Sequence, residues 1–168
     1  DNFVTSQALL SPELAALGGT WQVIGSTEAV DAFTHIGGFF NIPIYNLAGQ
    51  LVANGSSGLW DASLDAAIRY DQSGSIRDGL VWTGTNTDGS GSNGLTLGKG
   101  AVVNGTSFRN DSVWISNAPL ESYERHFFYG ISPTLTVPEL VPEPGTMGLW
   151  ALGLAMLYCR QARRRIQW

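Results

Sequence analysis

Leu80-Val81-Trp82-Thr83-Gly84-Thr85-Asn86-Thr87-Asp88-Gly89 changes character midway, from three apolar residues to a run of small polar ones. Branched and aromatic side chains in succession fit a pleated, buried surface, so Leu80–Trp82 predicts a short buried strand. From Thr83 to Gly100 the chain is dense in Gly, Asn, Ser and Thr, which predicts a long surface loop, the most mobile part of the domain for want of apolar contacts. Upstream, Ile42–Leu47 and Gly49–Ala53 predict a hairpin about Asn46–Gly49. Asn54–Gly58 reads as a loop, Asp61–Ile68 as a brief helical turn and Asp71–Gly74 as a further turn. Nearer the start, Trp21–Gly25 predicts a strand. Ser26 follows as N-cap of a helix over Thr27–His35, with Glu28 and Asp31 in its first turn and Gly37-Gly38 as its stop. Asp1–Leu17 carries spaced apolar residues (Phe3, Val4, Leu9, Leu10, Leu14, Leu17), but Pro12 forbids one continuous helix. Downstream, Trp114-Ile115 is an apolar island, and Leu135 and Val137 alternate in a final strand. Short helices and strands in mixed order, without an internal repeat, make an α+β domain.

The chain has 168 residues, enough for one domain and a tail. Its charge is divided. Up to Pro144, five basic residues (Arg69, Arg77, Lys99, Arg109, Arg125) face all fourteen acids, a balance of −9. The other four, Arg160, Arg163, Arg164 and Arg165, give the tail +4. An acidic body lacks the clustered cations that phosphate binding needs, so nucleic acid is excluded as a partner. Cys159 is the sole cysteine and lies in the tail, so the domain relies on core packing without a disulfide. Asp1 is not a start methionine and no leader precedes the domain, so the chain reads as a fragment or a processed form.

The tail holds the sharpest signal. In Val141-Pro142-Glu143-Pro144 both prolines fix φ and lack an N–H, which keeps the segment out of helix. Gly145–Cys159 follows without a charge. As a helix it would span about 22 Å, short of a ~30 Å hydrocarbon core, with Trp150 and Tyr158 at the interfaces and the arginines snorkelling to cover part of the mismatch. A buried amphipathic helix of a soluble domain is the alternative. Leu149, Leu152, Ala155, Met156 and Cys159 would form its face, yet Ala151, Leu154, Leu157 and Tyr158 make the segment apolar all round, as a span should be. Arg160, Arg163, Arg164 and Arg165 set the direction, keeping themselves cytoplasmic and placing what precedes Pro142 outside. The order Val-Pro-Glu-Pro, short span, arginine run resembles the PEP-CTERM sorting signal. That resemblance implies an exosortase in the cytoplasmic membrane that recognises Pro142-Glu143-Pro144 and replaces the helix.

The blocks of the body are similar, in the same order, to those of endostatin, the C-terminal domain of certain collagens, and its bacterial relatives on a C-type-lectin-like fold. Leu17-Gly-Gly-Thr-Trp21 with Ser26 resembles the family's Gly-Thr-aromatic strand before a Ser-capped helix. Ile42-Pro-Ile-Tyr-Asn-Leu47 with Gln50-Leu-Val52 resembles its Val-Pro-Ile-Val-Asn-Leu and following Glu-Leu-Leu. Leu59-Trp60 stands where the family has a Trp, Asp71–Gly74 resembles its Phe-Asp-Gly turn, and Val81–Gly89 its Val-Trp-His-Gly-Ser-Asp-Pro-Asn-Gly. The departures matter. The family's disulfide cysteines, zinc-binding N-terminal histidines and heparin-binding arginine surface have no counterpart here, so the resemblance implies the fold and neither of those functions. It also implies that the first strand of such a domain would lie before Asp1. The resulting organisation is an endostatin-like domain over 1–138, a linker with the Pro-Glu-Pro motif over 139–144, a single transmembrane helix over 145–159 and a basic cytoplasmic tail over 160–168.

Chemistry is sparse. A zinc site needs three or four ligands at close spacing, and His35, His126 and Cys159 stand apart. There is no nucleophile elbow, His-Glu-x-x-His or phosphate loop. Two histidines give a Ser–His–Asp set little support, and His126 reads as a strand-edge residue, so no catalytic residue is assigned. Asn86, Asp88 and Asn93 form the one oxygen-rich loop that could take Ca²⁺, though a single carboxylate is far from an EF-hand set. Trp60, Trp82 and Trp114 could stack on sugars, with core packing as the simpler use. The function expected is an exported bacterial surface or extracellular-matrix protein, a non-catalytic binding or structural module. It would be anchored in the cytoplasmic membrane before processing and then displayed at the cell surface or outside it, with exosortase and extracellular polysaccharide as partners. The alternative is a Ca²⁺-dependent, carbohydrate-binding lectin-like protein.

Overall fold

A computed structural model describes residues 1–136. The elements run α1 (Asn2–Ala8), α2 (Pro12–Leu17), β1 (Gln22–Val23), α3 (Ala32–His35), β2 (Pro43–Tyr45), β3 (Leu51–Asn54), α4 (Gly55–Leu59), β4 (Leu80–Trp82), β5 (Ala101–Thr106), a 3-10 turn (Ser112–Trp114), β6 (Pro119–Glu121) and β7 (Gly130–Ile131). Among the described residues three small antiparallel sheets result, β1 with β7, β2 with β3, and β4-β5-β6.

Pro12 does what its chemistry requires. It ends α1 before it and opens α2 at the first helical position, where its missing N–H costs nothing, and Ser11 caps the new helix by accepting from Leu14 N. Asp1 ties α1 to the rest, its Oδ1 accepting from Val23 N at 3.0 Å and lying 2.9 Å from His35 Nε2. The hairpin turns at Asn46–Gly49, where Asn46 Oδ1 accepts from Ala48 N and Gln50 N.

The middle strand of the largest sheet, β5, is the element that the sequence reading omits. Val102 to Thr106 are all buried, with Leu80 opposite Thr106 and Trp82 opposite Asn104 on one side, and Val102 opposite Leu120 on the other. Behind it, Trp114 and Ile115 are wholly enclosed and join Ile24, Val52, Leu59, Leu64, Val81 and Tyr129 in one core. Gly105 makes this possible: a methyl there would stand 2.6 Å from the Trp114 carbonyl carbon and 2.9 Å from Ile115 Cα. Tyr129, pushed well above the ordinary phenol range by burial, donates to the Trp114 carbonyl at 3.0 Å.

Five expectations need correction. The helix expected over Thr27–His35 is confined to Ala32–His35, because Thr27 and Val30 close a tight turn; Ser26 Oγ still accepts from Ala32 N at 2.8 Å. Asn54–Gly58 is not a loop, since Gly55 takes φ +75° and launches α4 directly from β3. Asp61–Ile68 is not helical: Asp61 Oδ1 accepts from Ser63 N, and Ala62 between them is left-handed at φ +74°. The last strand among the described residues is Gly130–Ile131 on β1; Leu135 is half exposed with no strand partner, and Val137 lies outside the described residues. The long loop after Trp82 is not a free surface loop. Thr83 and Thr85 are fully buried, Thr83 donating to the Ile115 carbonyl at 2.6 Å and Thr85 to the Thr83 carbonyl at 2.7 Å.

Gly105→Ala is expected to destabilise the protein by about 1–3 kcal/mol or more, since backbone cannot move aside as a side chain can. Trp114→Ala is expected to cost about 3–5 kcal/mol. Urea unfolding followed by Trp fluorescence measures both, and a loss at Gly105 below about 0.5 kcal/mol would contradict the close seating.

Candidate functional site

An open cleft of about 330 Å³ is lined by Phe33, Phe39, Ser56, Ser57, Trp60 and Asp88. Its parts come from three places in the chain, and local chemistry fixes each. α3 ends in a paired closure: Gly37 N donates to the Thr34 carbonyl and Gly38 N to the Phe33 carbonyl, with Gly37 at φ +107°. The reversal returns Phe39 against Phe33, edge to face, with centroids 4.9 Å apart. Phe39 is nonetheless 90 % exposed. α4 supplies Ser56 and Ser57, and Ser56 Oγ is held between the N–H and carbonyl of Phe40. Trp60 follows α4, its ring 6.2 Å from that of Trp114 and its indole N–H without a partner among the described residues.

Asp88 arrives from the long loop. Phe33 N donates to the Gly89 carbonyl at 3.1 Å, and Gly89 packs so tightly that a Cβ would lie 2.8 Å from Phe33 Cβ and 2.9 Å from the Trp60 ring. Asp31 Oδ1 accepts from Gly91 N at 2.7 Å and pins the other side of the loop. The Asp88 carboxylate is therefore held at the rim of the cleft, exposed.

The candidate ion loop is only partly assembled. Asp88 Oδ1 accepts from both Ser90 N and Ser90 Oγ, at 2.9 and 2.6 Å, and Asn86 Nδ2 donates to Ser90 Oγ and the Gly91 carbonyl. Asn93 is exposed and makes no side-chain hydrogen bond to either among the described residues. The Asp-x-Ser pattern recurs at Asp61-Ala62-Ser63 and Asp71-Gln72-Ser73, with the same pair of contacts each time. An oxygen-rich loop in the sequence is here turn chemistry. Among the described residues no three His, Cys, Asp or Glu side chains gather as a metal would need.

His126 packs edge-on to Trp82, centroids 4.8 Å apart, and its Nε2 lies 3.0 Å from Glu124 Oε2; His35 is engaged with Asp1. Trp82 and Trp114 are core, whereas Trp60 borders the cleft. The sequence reading missed Phe33 and Phe39 altogether; the visible signal was an aromatic pair placed directly after a glycine pair. Val141, Pro142, Glu143, Pro144, the run 145–159 and Arg160, Arg163, Arg164 and Arg165 lie outside the described residues. Among the described residues no helix is long and apolar enough to cross a membrane.

The Ser90 hydroxyl, then the Ser90 N–H, lowers the Asp88 carboxyl below the usual carboxylate range, and the Ser73 hydroxyl, with Arg77 and the Ser75 and Ser73 N–H groups, holds Asp71 well below it. A carboxyl depressed in the folded state adds stability above its unfolded pKa of about 3.9 and loses it as pH falls through the folded value. The melting temperature is expected to be flat near neutrality and to fall below about pH 4, and Ser90→Ala should move the Asp88 midpoint up towards about 3.9 in an NMR titration.

Comparison with curated proteins gave no match, and comparison with solved structures gave none. Residues 140–165 match the family model of the PEP-CTERM protein-sorting motif, so the chain carries a signal for export through the membrane-associated exosortase pathway.

Proposed function

We propose that this protein is an exported bacterial surface or extracellular-matrix component, sorted by an exosortase and acting as a non-catalytic binding module. The sorting motif over residues 140–165 carries the reading. A protease at the membrane surface needs an extended substrate, and Pro142 and Pro144 supply one. Gly145–Cys159 halts translocation, and Arg160, Arg163, Arg164 and Arg165 hold the cytoplasmic side. Processing after the Pro-Glu-Pro then frees the domain from its membrane helix.

The non-catalytic part rests on how the polar groups are spent. Asp61, Asp71 and Asp88 cap their own turns, the buried Thr83, Thr85, Thr106 and Ser107 hydroxyls donate to backbone carbonyls, and neither described histidine hydrogen-bonds a Ser. For the fold, the proposal is an endostatin-like, C-type-lectin-like domain. In its support, the hairpin Pro43–Asn54, the buried Leu59 beside Trp60 and the strand Leu80–Trp82 entering the Thr83–Gly89 segment occur in the family's order. The calcium-dependent lectin reading is the weaker one, because Asp88 Oδ1 is already occupied by Ser90 and Asn93 stands apart.

Mass analysis of mature protein from a host with the matching exosortase is expected to show a chain ending near Pro144. Changing Pro142, Glu143 and Pro144 to Ala should leave an inserted, unprocessed precursor. Gln at Arg160, Arg163, Arg164 and Arg165 should instead weaken retention. Mature protein that still contains Gly145–Trp168 would sink the sorting proposal. Calcium is expected to leave the melting temperature unmoved, whereas a site filled at about 100 times its Kd would add about 2.7 kcal/mol.

A further inference from the structure

We propose that the cleft between α3, α4 and the Asp88 loop binds an uncharged sugar ring, with Phe39 as the stacking platform and Asp88 and Ser57 as the hydroxyl-binding groups. This deepens the binding-module reading and rests on it.

The first argument is the state of Phe39. A ring 90 % exposed is ordinarily a side chain swinging in water, but this one is placed by the paired glycine closure of α3 and by its edge contact with Phe33. Its unpacked face is presented to the cleft without the entropy cost of finding a position, which is what a pre-organised contact provides. Trp60 and Phe33 continue the apolar lining beside it.

The second argument is the polar complement. Asp88 Oδ1 is occupied by Ser90, but Oδ2 has no partner among the described residues, and neither does the exposed Ser57 hydroxyl. A sugar ring matches this set. Its C–H face lies on an aromatic ring while its hydroxyls donate to a carboxylate and exchange hydrogen bonds with an alcohol. Because Ser90 and the Gly89 packing fix Asp88, the acceptor is already aimed.

The third argument is charge, which selects among sugars. The cleft lining includes a carboxylate and no Lys or Arg. Over residues 1–136 twelve acids face five basic residues, and four of those five already pair, Arg69 with Asp78, Arg77 with Asp71, Lys99 with Glu28 and Arg109 with Asp111. A polyanionic polysaccharide would meet repulsion there with no cation to offset it. The volume, at the lower end for small-molecule sites, suits one or two rings of a chain passing through an open cleft.

The test is calorimetric titration of the full chain in detergent with cellohexaose, chitohexaose, mannohexaose and dextran, and with polygalacturonate as the anionic counterpart. Saturable binding of at least one neutral glycan is expected. Phe39→Ala should weaken it about tenfold or more with the melting temperature unchanged, and Ser57→Ala should weaken it less. If no neutral glycan binds, if polygalacturonate alone binds, or if Phe39→Ala leaves affinity intact, the proposal is overturned. A peptide or protein ligand competing at Phe39 while every glycan fails would overturn it equally. The sorting reading is decided separately by the mass of the mature chain, so either can fail without the other.

Discussion

The Trp114 carbonyl lies over Gly105 where any side chain would collide with it, and most of the described structure is arranged around that approach. The seat lets a fully buried indole close against the middle strand of the only three-stranded sheet among the described residues. From there contacts reach outward. Tyr129 donates to the same carbonyl and stacks obliquely at 5.6 Å, which brings the β1–β7 pair onto the core. Thr83 donates to the carbonyl of Ile115 next door and draws the start of the long loop inward. Trp60 packs against the same indole at 6.2 Å and lines the cleft. A domain with no disulfide and very short strands needs such a centre, because each two-stranded sheet is marginal by itself.

Polar residues complete the interior. Ser26 Oγ and Thr85 Oγ1 lie 3.0 Å apart, so Ser26 can donate to Thr85 while Thr85 donates onward to the Thr83 carbonyl. Asn104, on the middle strand, donates to the Ala118 carbonyl and accepts from Asn117. Every one of these groups would cost stability if buried alone; joined, they fix one register for chain segments that have few apolar residues to do so.

That division explains what could be read from the sequence. Strands with an apolar signature, Ile42–Leu47, Leu51–Ala53 and Leu80–Trp82, were legible, as were the break at Pro12 and the turn at Asn46–Gly49. β5 was not, because its buried residues after Val103 are Asn104, Gly105 and Thr106, and Asn-Gly reads as a turn wherever it is not enclosed. α4 was hidden for the same reason, being built from Gly and Ser on the strength of its packing against β3. The serine two positions after Asp61, Asp71 and Asp88 closes each carboxylate onto its own turn, a contact that composition alone does not separate from an oxygen-rich ligand loop. The cleft was invisible because Phe33 and Phe39 meet only through the two-glycine reversal between them. The sorting tail was legible because membrane export reads composition and order more than tertiary contact.

The charge pattern links the exported domain to its tail. The cation bias that orients an apolar run is counted over the residues adjoining it. From His126 to Pro144 the chain has no Lys or Arg but two acids, Glu139 and Glu143, whereas four arginines follow Cys159 within six positions. On the proposed topology this gradient points one way, with no Lys or Arg between His126 and Pro144 to compete for the cytoplasm. The same scarcity of cations leaves the exported domain acidic, with most of its few cations already in ion pairs. Such a surface discourages adhesion to polyanions, so the binding proposed for this domain rests on a shaped contact. On this chain the best-prepared contact of that kind among the described residues is an aromatic ring held in water beside a carboxylate with one oxygen to spare.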